Sequence, residues 1–330
     1  MTRKNFPVWD SKEADVLKQL LAPLDPVLFV EKYFARQPVY VRGTPDKFKT
    51  LFNRKRFNKA VQVAFKKSHV PSFRLSAVVR DLDGSWSATE PIKPKEIAAT
   101  LAGGFTVCVN DITLGDEKLA ALCLAVKSQM NFAGRVRFNC YLSPDASGTD
   151  THFDTSVSTT LQIEGTKRWR YAERPAVAWP PSNATLQNDG TRQWKLPWVG
   201  QQPWEQLDAV KTKEFKEVIL EPGDLLCLPA GTWHNARAID HSLALNMAFS
   251  PISCITLLTR ILEGVFEGNE SWRAGPPAAY QDDPDAPQLP TSVENYFEAR
   301  LEEVRRKLNT IDARGELVQR PWRELVDPES

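Results

Sequence analysis

Histidine is scarce in this chain, with only four among 330 residues, so a site built on imidazole has few ways to form. The five cysteines, Cys108, Cys123, Cys140, Cys227 and Cys254, are odd in number, scattered and without CxxC spacing. They indicate neither a disulfide framework nor a zinc site, and they fit a reducing, cytoplasmic setting. No stretch reaches the roughly 18 apolar residues of a spanning helix. The opening Met1-Thr2-Arg3-Lys4 runs to Trp9-Asp10 without an apolar segment, so the reading is a soluble, unexported protein with no membrane partner. An excess of one charge is also missing: Lys and Arg total 42 against 41 for Asp and Glu, and any attraction to nucleic acid would have to come from a local patch.

What is present is enough apolar residue, 42%, to build a real core, and enough length for one large domain with appendages. Val16, Leu17, Leu20 and Leu21 recur at helical spacing after Ser11, and Asp25-Pro26 opens a second helix with a capping residue and a proline at the first helical position. Gln37 to Arg42 reads as a strand whose Pro38 suits a first residue or a sheet edge. From Asp46 to His69, lysines and arginines alternate with Phe48, Phe52, Phe57 and Phe65. This segment reads as a solvated helix face with aromatics packed beneath, the alternative being a basic surface for RNA or a ribosome.

Between Phe105 and Phe249 short β-rich runs dominate, with Leu119 to Met130 as the clear helical interruption, a pattern of a sandwich or barrel. The segment from Glu173 to Leu207 is rich in Pro and Trp (Trp179, Trp194, Trp198, Trp204) and shows no strand or helix period. It is either a functional loop or an aromatic cover over a sheet. The five prolines between Ala274 and Pro290 mark an extended linker. Beyond them Val293, Phe297, Leu301, Val304, Leu308 and Ile311 form one apolar stripe on a helix opened by Ser292, which needs a partner and makes a homodimer a reasonable expectation. The divisions are therefore 1–75, a helical lead-in with an edge strand and the basic segment; 76–255, a β-rich catalytic domain; and 256–330, a helical extension.

Two of the four histidines sit where strands hand side chains to a sheet interior. In Thr151-His152-Phe153-Asp154 the His and Asp are two apart, so on an extended backbone both project to one face and share a cation. They form two thirds of the 2-His-1-carboxylate set that leaves three positions open on iron(II). Pro222-Gly223-Asp224, an apolar strand and Leu228-Pro229-Ala230-Gly231-Thr232-Trp233-His234 supply the third ligand, His234. Ser158 to Ile163 and Thr166 to Tyr171, joined at Glu164-Gly165, look like a hairpin. On its second strand Lys167, Trp169 and Tyr171 share one face and Thr166, Arg168 and Arg170 the other; alternation alone leaves open which face is buried. If Lys167 is inside, it demands an anion such as a carboxylate of a diacid.

These residues resemble the JmjC and cupin-like oxygenases, particularly the bacterial cupin-fold and ribosomal-oxygenase branch that hydroxylates protein side chains. The resemblance runs from about Val16 to Pro251 and is most specific over Asn139–Trp169 and Pro222–His234. It implies a mainly β fold, a double-stranded β-helix (jelly-roll) core with N-terminal helices and a C-terminal helical extension. It also implies iron(II), 2-oxoglutarate as cosubstrate and O₂. By the same resemblance Lys167 anchors the distal carboxylate of 2-oxoglutarate, Thr149 joins it, Asn246 lies near cosubstrate or substrate, and Asn139 and Tyr141 contact substrate. The implied function is hydroxylation of a side chain in a protein or peptide. Alternatives are tailoring of a natural-product precursor peptide or small molecule, N-methyl-lysine demethylation with the same oxidant, or a non-catalytic cupin-fold binding module. Only about eighty residues follow Pro251, fewer than the ribosomal branch usually carries.

Overall fold

The computed structural model describes residues 15–80, 88–187, 190–194, 209–280 and 288–326. Ser11, Trp198, Trp204, Pro284 and Pro287 lie outside them. The chain divides into two units, Met1–Pro251 and Ile252–Ser330.

The first unit opens with α1 (Val16–Leu21), where the Asp15 side chain accepts from the Lys18 N–H at 2.9 Å, and α2 (Pro26–Leu28), where Asp25 does the same for Leu28 at 2.9 Å. Both caps satisfy amide groups that a helix start leaves without partners. A π-helical turn follows over Phe29–Tyr33, then β1 (Val39–Val41) and α3 (Arg54–Phe65). On α3 the residues Phe57, Ala60, Val61 and Ala64 are buried while Lys55, Lys59, Lys66 and Lys67 on it and beyond its end are exposed, a solvated face over an apolar underside; Lys47, earlier in the basic segment, is instead buried and donates to the Ala22 carbonyl at 2.8 Å. Next come β2 (Arg74–Val79), β3 (Ala88–Pro91), α4 (Ile97–Ala102), β4 (Thr106–Asn110) and α5 (Glu117–Gln129).

Ten further strands complete the unit: β5 (Gly134–Ser143), β6 (Gly148–Phe153), β7 (Val157–Glu164), β8 (Lys167–Tyr171), β9 (Ala184–Leu186), β10 (Arg192–Trp194), β11 (Lys216–Leu220), β12 (Leu225–Leu228), β13 (His234–Ala238) and β14 (Ser242–Pro251). They form two antiparallel sheets, β1-β12-β7-β14-β5-β4-β2-β3 and β10-β9-β6-β13-β8-β11. Successive strands of the central part alternate between the sheets, which is the double-stranded β-helix expected from the resemblance.

The first sheet sorts its residues by parity. Phe138, Cys140 and Leu142 of β5, Leu161 of β7, and Leu245, Met247 and Phe249 of β14 face the helices, in one cluster with Val16, Leu20, Phe57, Leu122 and Val126. Each such large side chain, fully buried, contributes about 1.5–3 kcal/mol. The opposite parity, Asn139, Tyr141, Thr160, Ala244 and Asn246, is polar or small and lines the space between the sheets. The main core therefore lies between the first sheet and the helices, and the intersheet space is left for chemistry.

Three features depart from the sequence expectations. Glu164-Gly165 closes no hairpin: β7 pairs with β12 and β14, β8 with β11 and β13, and the turn is a crossing between sheets. The cause lies in burial. β7 is buried on both faces along its length, whereas β8 alternates buried Lys167, Trp169 and Tyr171 with the more exposed Arg168 and Arg170, so one sheet cannot serve both. Gly165 sits at φ +66°, and a Cβ there would meet the His241 carbonyl oxygen at 2.0 Å. Second, the aperiodic Trp-rich segment contains β9 and β10, which extend the second sheet beyond β6; Trp179 on the way is 49% exposed. Runs of three residues are too short to show a period.

The third departure is in the second unit, which holds α6 (Cys254–Phe266), α7 (Glu270–Arg273), α8 (Thr291–Leu308) and α9 (Glu316–Val326). α8 begins one residue before Ser292, with Pro290 at the cap position and no side-chain cap, because the proline's fixed φ already suits the turn into the helix. Phe297, Leu301 and Leu308 are exposed on it, and Ile311 lies past its end. Phe266 stacks on Trp272 at 4.0 Å, and the Trp272 indole N–H donates to Glu303 at 2.8 Å. Among the described residues no helix is long and apolar enough to cross a membrane.

The Pro222-Gly223-Asp224 turn is pinned by a buried carboxylate. Asp224 accepts from the Gly43 N–H at 2.8 Å, the Glu221 N–H at 3.0 Å and the Tyr40 hydroxyl at 2.9 Å, and burial together with this carboxylate pushes the Tyr40 phenol up to about 12. Asp224→Ala strands all three donors and is expected to cost on the order of 3 kcal/mol in urea unfolding. Asp224→Asn, which keeps part of the acceptor set, is expected to cost less; equal midpoints for wild type and both variants would refute this role.

Candidate active site

β6 and β13 bring the site together. They pair antiparallel with His152 directly opposite His234, and Asp154 follows one residue past the end of β6 on the His152 side of the strand. The imidazole centroids are 4.3 Å apart and the His234 Nε2 lies 4.0 Å from the Asp154 Oδ2. One ligand atom from each of the three residues falls within 4.8 Å of the others, close enough for a single ion.

The tautomers are set by the backbone. His152 Nδ1–H donates to the Asp150 carbonyl at 2.8 Å and His234 Nδ1–H to the Thr232 carbonyl at 2.8 Å, since a carbonyl can only accept. Each ring thus keeps its Nε2 lone pair for a cation. Burial, and then the neighbouring His152, lower the His234 pKa to about 4, so this ring is neutral at ordinary pH. Asp154 is oriented by a residue the sequence did not reveal: the Asn183 amide donates to its Oδ1 at 3.0 Å, while the Asn183 oxygen accepts from the Thr155 N–H at 2.8 Å. Two imidazoles and one carboxylate, with one side of the set open to a cavity, are a donor set suited to iron(II).

Lys167 lies inside, 4% exposed, which decides the parity that alternation left open. Its ammonium donates to the Ser143 hydroxyl at 3.0 Å, and among the described residues no carboxylate pairs with it. Burial lowers its pKa to about 8. A small cavity runs from Lys167 to His152 and His234, walled by Thr149, Tyr141, Trp169 and Asn246. The Trp169 indole nitrogen and the Asn246 side-chain oxygen in its wall are buried without hydrogen-bond partners. A cationic end, unpartnered polar atoms and a metal triad at the other end fit a short dicarboxylate.

Next to it a larger cavity of about 200 Å³ opens over β2, β4 and β5 and faces β6 and β9. Asn139 and Tyr141 line it, as their parity predicted, and so do Thr149 and Asn246. All eight residues singled out in the sequence thus converge on two adjoining cavities, while His69 and His241 line neither. Arg137 also lines the larger cavity and was overlooked, although it stands two before Asn139 on β5 and so shares its face. Asn183 had no such signal, lying in the stretch without a period.

A family model described as the JmjC domain matches residues 118–257. The uncharacterized protein YxbC of Bacillus subtilis is 24% identical over 255 residues, covering 75% of this chain and 74% of its own. Ribosomal oxygenase 1 of Gallus gallus is 25% identical over 259 residues, 72% of this chain and 37% of that protein. The bifunctional lysine-specific demethylase and histidyl-hydroxylase NO66 of Drosophila persimilis is 26% identical over 240 residues, 71% and 31% respectively. The chain spans about a third of the length of these two animal relatives. The solved structure of YcfD, a ribosomal oxygenase from Escherichia coli in complex with cobalt and 2-oxoglutarate, superposes with a TM-score of 0.52 at 17% identity, covering 92% of this chain and 71% of that one, a likeness of fold. Residues 118–257 thus resemble a JmjC domain, in agreement with the oxygenase resemblance carried by the sequence motifs.

Proposed function

We propose that this chain, an iron(II)- and 2-oxoglutarate-dependent oxygenase, hydroxylates a side chain of a protein or peptide. The observation that carries the reading is the buried ammonium of Lys167, which has no carboxylate of its own and shares a cavity with an open His-Asp-His set. Bound together, iron(II) and 2-oxoglutarate supply the oxidant: one oxygen atom of O₂ enters a C–H bond and the other leaves in succinate as the keto acid loses CO₂.

The residues of this chain bind, orient and shield. His152, Asp154 and His234 hold the metal, and Lys167, with Thr149 beside it, fixes the distal carboxylate of 2-oxoglutarate. Trp169 and Asn246 offer unpartnered polar atoms along the length of that molecule. Asn183 ties down one carboxylate oxygen of Asp154 and leaves the other to ligate, a positioning role through the ligand. Asn139 and Tyr141 face the larger cavity, which is open to a polypeptide side chain. The relatives named for ribosomal oxygenation and histidyl hydroxylation support a protein substrate.

Succinate release from 2-oxoglutarate by the iron(II)-loaded protein in air is the direct test, with a cell lysate as substrate source and mass spectrometry for an oxygen adduct. Turnover is expected to vanish in His152→Ala; iron binding without any turnover would refute the reading. Asn183→Ala is expected to weaken cobalt(II) affinity about 10- to 100-fold in a spectroscopic titration, and Asn183→Asp, which cannot donate to Asp154, should not restore it. Unchanged affinity in Asn183→Ala would remove the positioning role.

The Lys167 ammonium, lowered to about 8 by burial, is charged below that pH and neutral above it. Carboxylate binding requires the charged form, so KM for 2-oxoglutarate is expected to be flat below pH 7 and to rise towards tenfold per pH unit above about pH 8. Lys167→Arg, which stays charged throughout, should flatten the rise, and a wild-type KM that ignores pH would exclude Lys167 as the carboxylate's partner.

A further inference from the structure

The larger cavity holds a cation with no counterpart. Arg137 projects from β5 on the same face as Asn139 and Tyr141 and is half-buried. Its Nε has no hydrogen-bond partner, and among the described residues no carboxylate pairs with its guanidinium. The acidic groups nearby are committed elsewhere. Asp111 takes Arg135, Ser72 and Thr113; Asp150 pairs with Arg237; Asp154 belongs to the triad and is held by Asn183. The Asn139 oxygen already accepts from the Asp111 N–H at 3.0 Å, which leaves its amide hydrogens as donors for the cavity. Arg74 stands at the exposed rim. This part of the wall therefore presents donors and positive charge, and a partly desolvated guanidinium without an acceptor is costly unless the occupant brings one.

We propose that Arg137 is a specificity residue that takes a carboxylate of the substrate, so that the polypeptide entering this cavity carries an aspartate or glutamate at or beside the oxidised residue. The proposal rests on the protein-hydroxylase reading above and adds a substrate class to it. A planar guanidinium pairs with a carboxylate through two parallel hydrogen bonds and repels a lysine or arginine side chain at the same point. A second source of the same chemistry is the cosubstrate, but its distal carboxylate has Lys167 in the adjoining cavity, and Arg137 does not line that cavity. The Arg137 guanidinium is held below its ordinary pKa by burial first and Arg135 second, with Asp111 and Asp154 offsetting part of the effect at a distance.

The test uses the full chain loaded with manganese(II) and N-oxalylglycine, which blocks turnover, and random peptide pools with one central position fixed as Asp, Glu, Asn, Leu, Lys or Arg. Fluorescence anisotropy should show the Asp and Glu pools bound about tenfold or more tightly than the Lys and Arg pools. R137K should keep the order, R137Q should lose it and R137E should reverse it, all with the wild-type circular dichroism spectrum. Equal binding of every pool, no binding of any, or the same preference in R137Q overturns the proposal. A loss of 2-oxoglutarate affinity in R137Q as large as its loss of peptide discrimination assigns the guanidinium to the cosubstrate and also overturns it. Absence of succinate formation by the iron(II)-loaded wild type would bring down the oxygenase reading itself; succinate formation without charge preference among the pools would bring down the role of Arg137 alone.

Discussion

The register between β6 and β13 governs the rest of the site, because one antiparallel pair sets His152 against His234 and Asp154 takes its place from the same strand. Several contacts hold that register. Arg237 on β13 reaches back to the Thr149 carbonyl and the Asp150 carboxylate on β6. Gly148 has no room for a side chain, since a Cβ would stand 1.9 Å from the Ala236 carbonyl oxygen. A slip of one residue would turn every side chain to the opposite face, so the ligand set is an all-or-none product of the pairing. The irregularity in the pairing between His234 and Ala236 lies beside the ligand, where such irregularities re-aim side chains.

The space between the sheets can be polar because it is not asked to stabilise the fold. Large apolar residues of β5, β7, β12 and β14 point outward and are covered by helices, so the principal core is sheet against helix. Inside, a smaller cluster around Trp169, Tyr171, Leu220, Leu226 and Leu228 closes one end. The remaining interior tolerates a desolvated lysine, the neutral His234 imidazole and several unpartnered polar atoms. Such groups are destabilising in the empty fold, and a ligand relieves them, so binding strength is drawn from what the fold leaves unsatisfied.

The clustering of His152, Asp154 and His234 was legible because strand geometry is simple: residues two apart share a face, and a proline-glycine turn announces where the next strand begins. Lys167 needed more than alternation, since period two gives two faces without saying which is wet; the packing of β8 settled its burial. The crossing at Gly165 was misread as a hairpin because the local signal, two β-rich runs around a glycine, is the same for a turn within a sheet and a passage between sheets. Only partners distant in the chain distinguish them. Asn183 was invisible because its meaning is its contact with Asp154, which no local pattern encodes, whereas Arg137 was readable in principle from the parity of β5. Ser292 illustrates a different limit: a capping residue type competed with a proline whose backbone already suited the helix entry.

His152 with Asp154 and His234 belong to segments far apart in the chain, and an ion gripping all three has the topology of a cross-link. In the unfolded chain the same cross-link would close a long loop, an entropy loss that the folded chain has already met in pairing β6 with β13. Occupancy therefore favours the closed jelly roll over every open state, by an amount that grows with free-ion concentration. An ion held there would in this sense be a staple as well as a reagent.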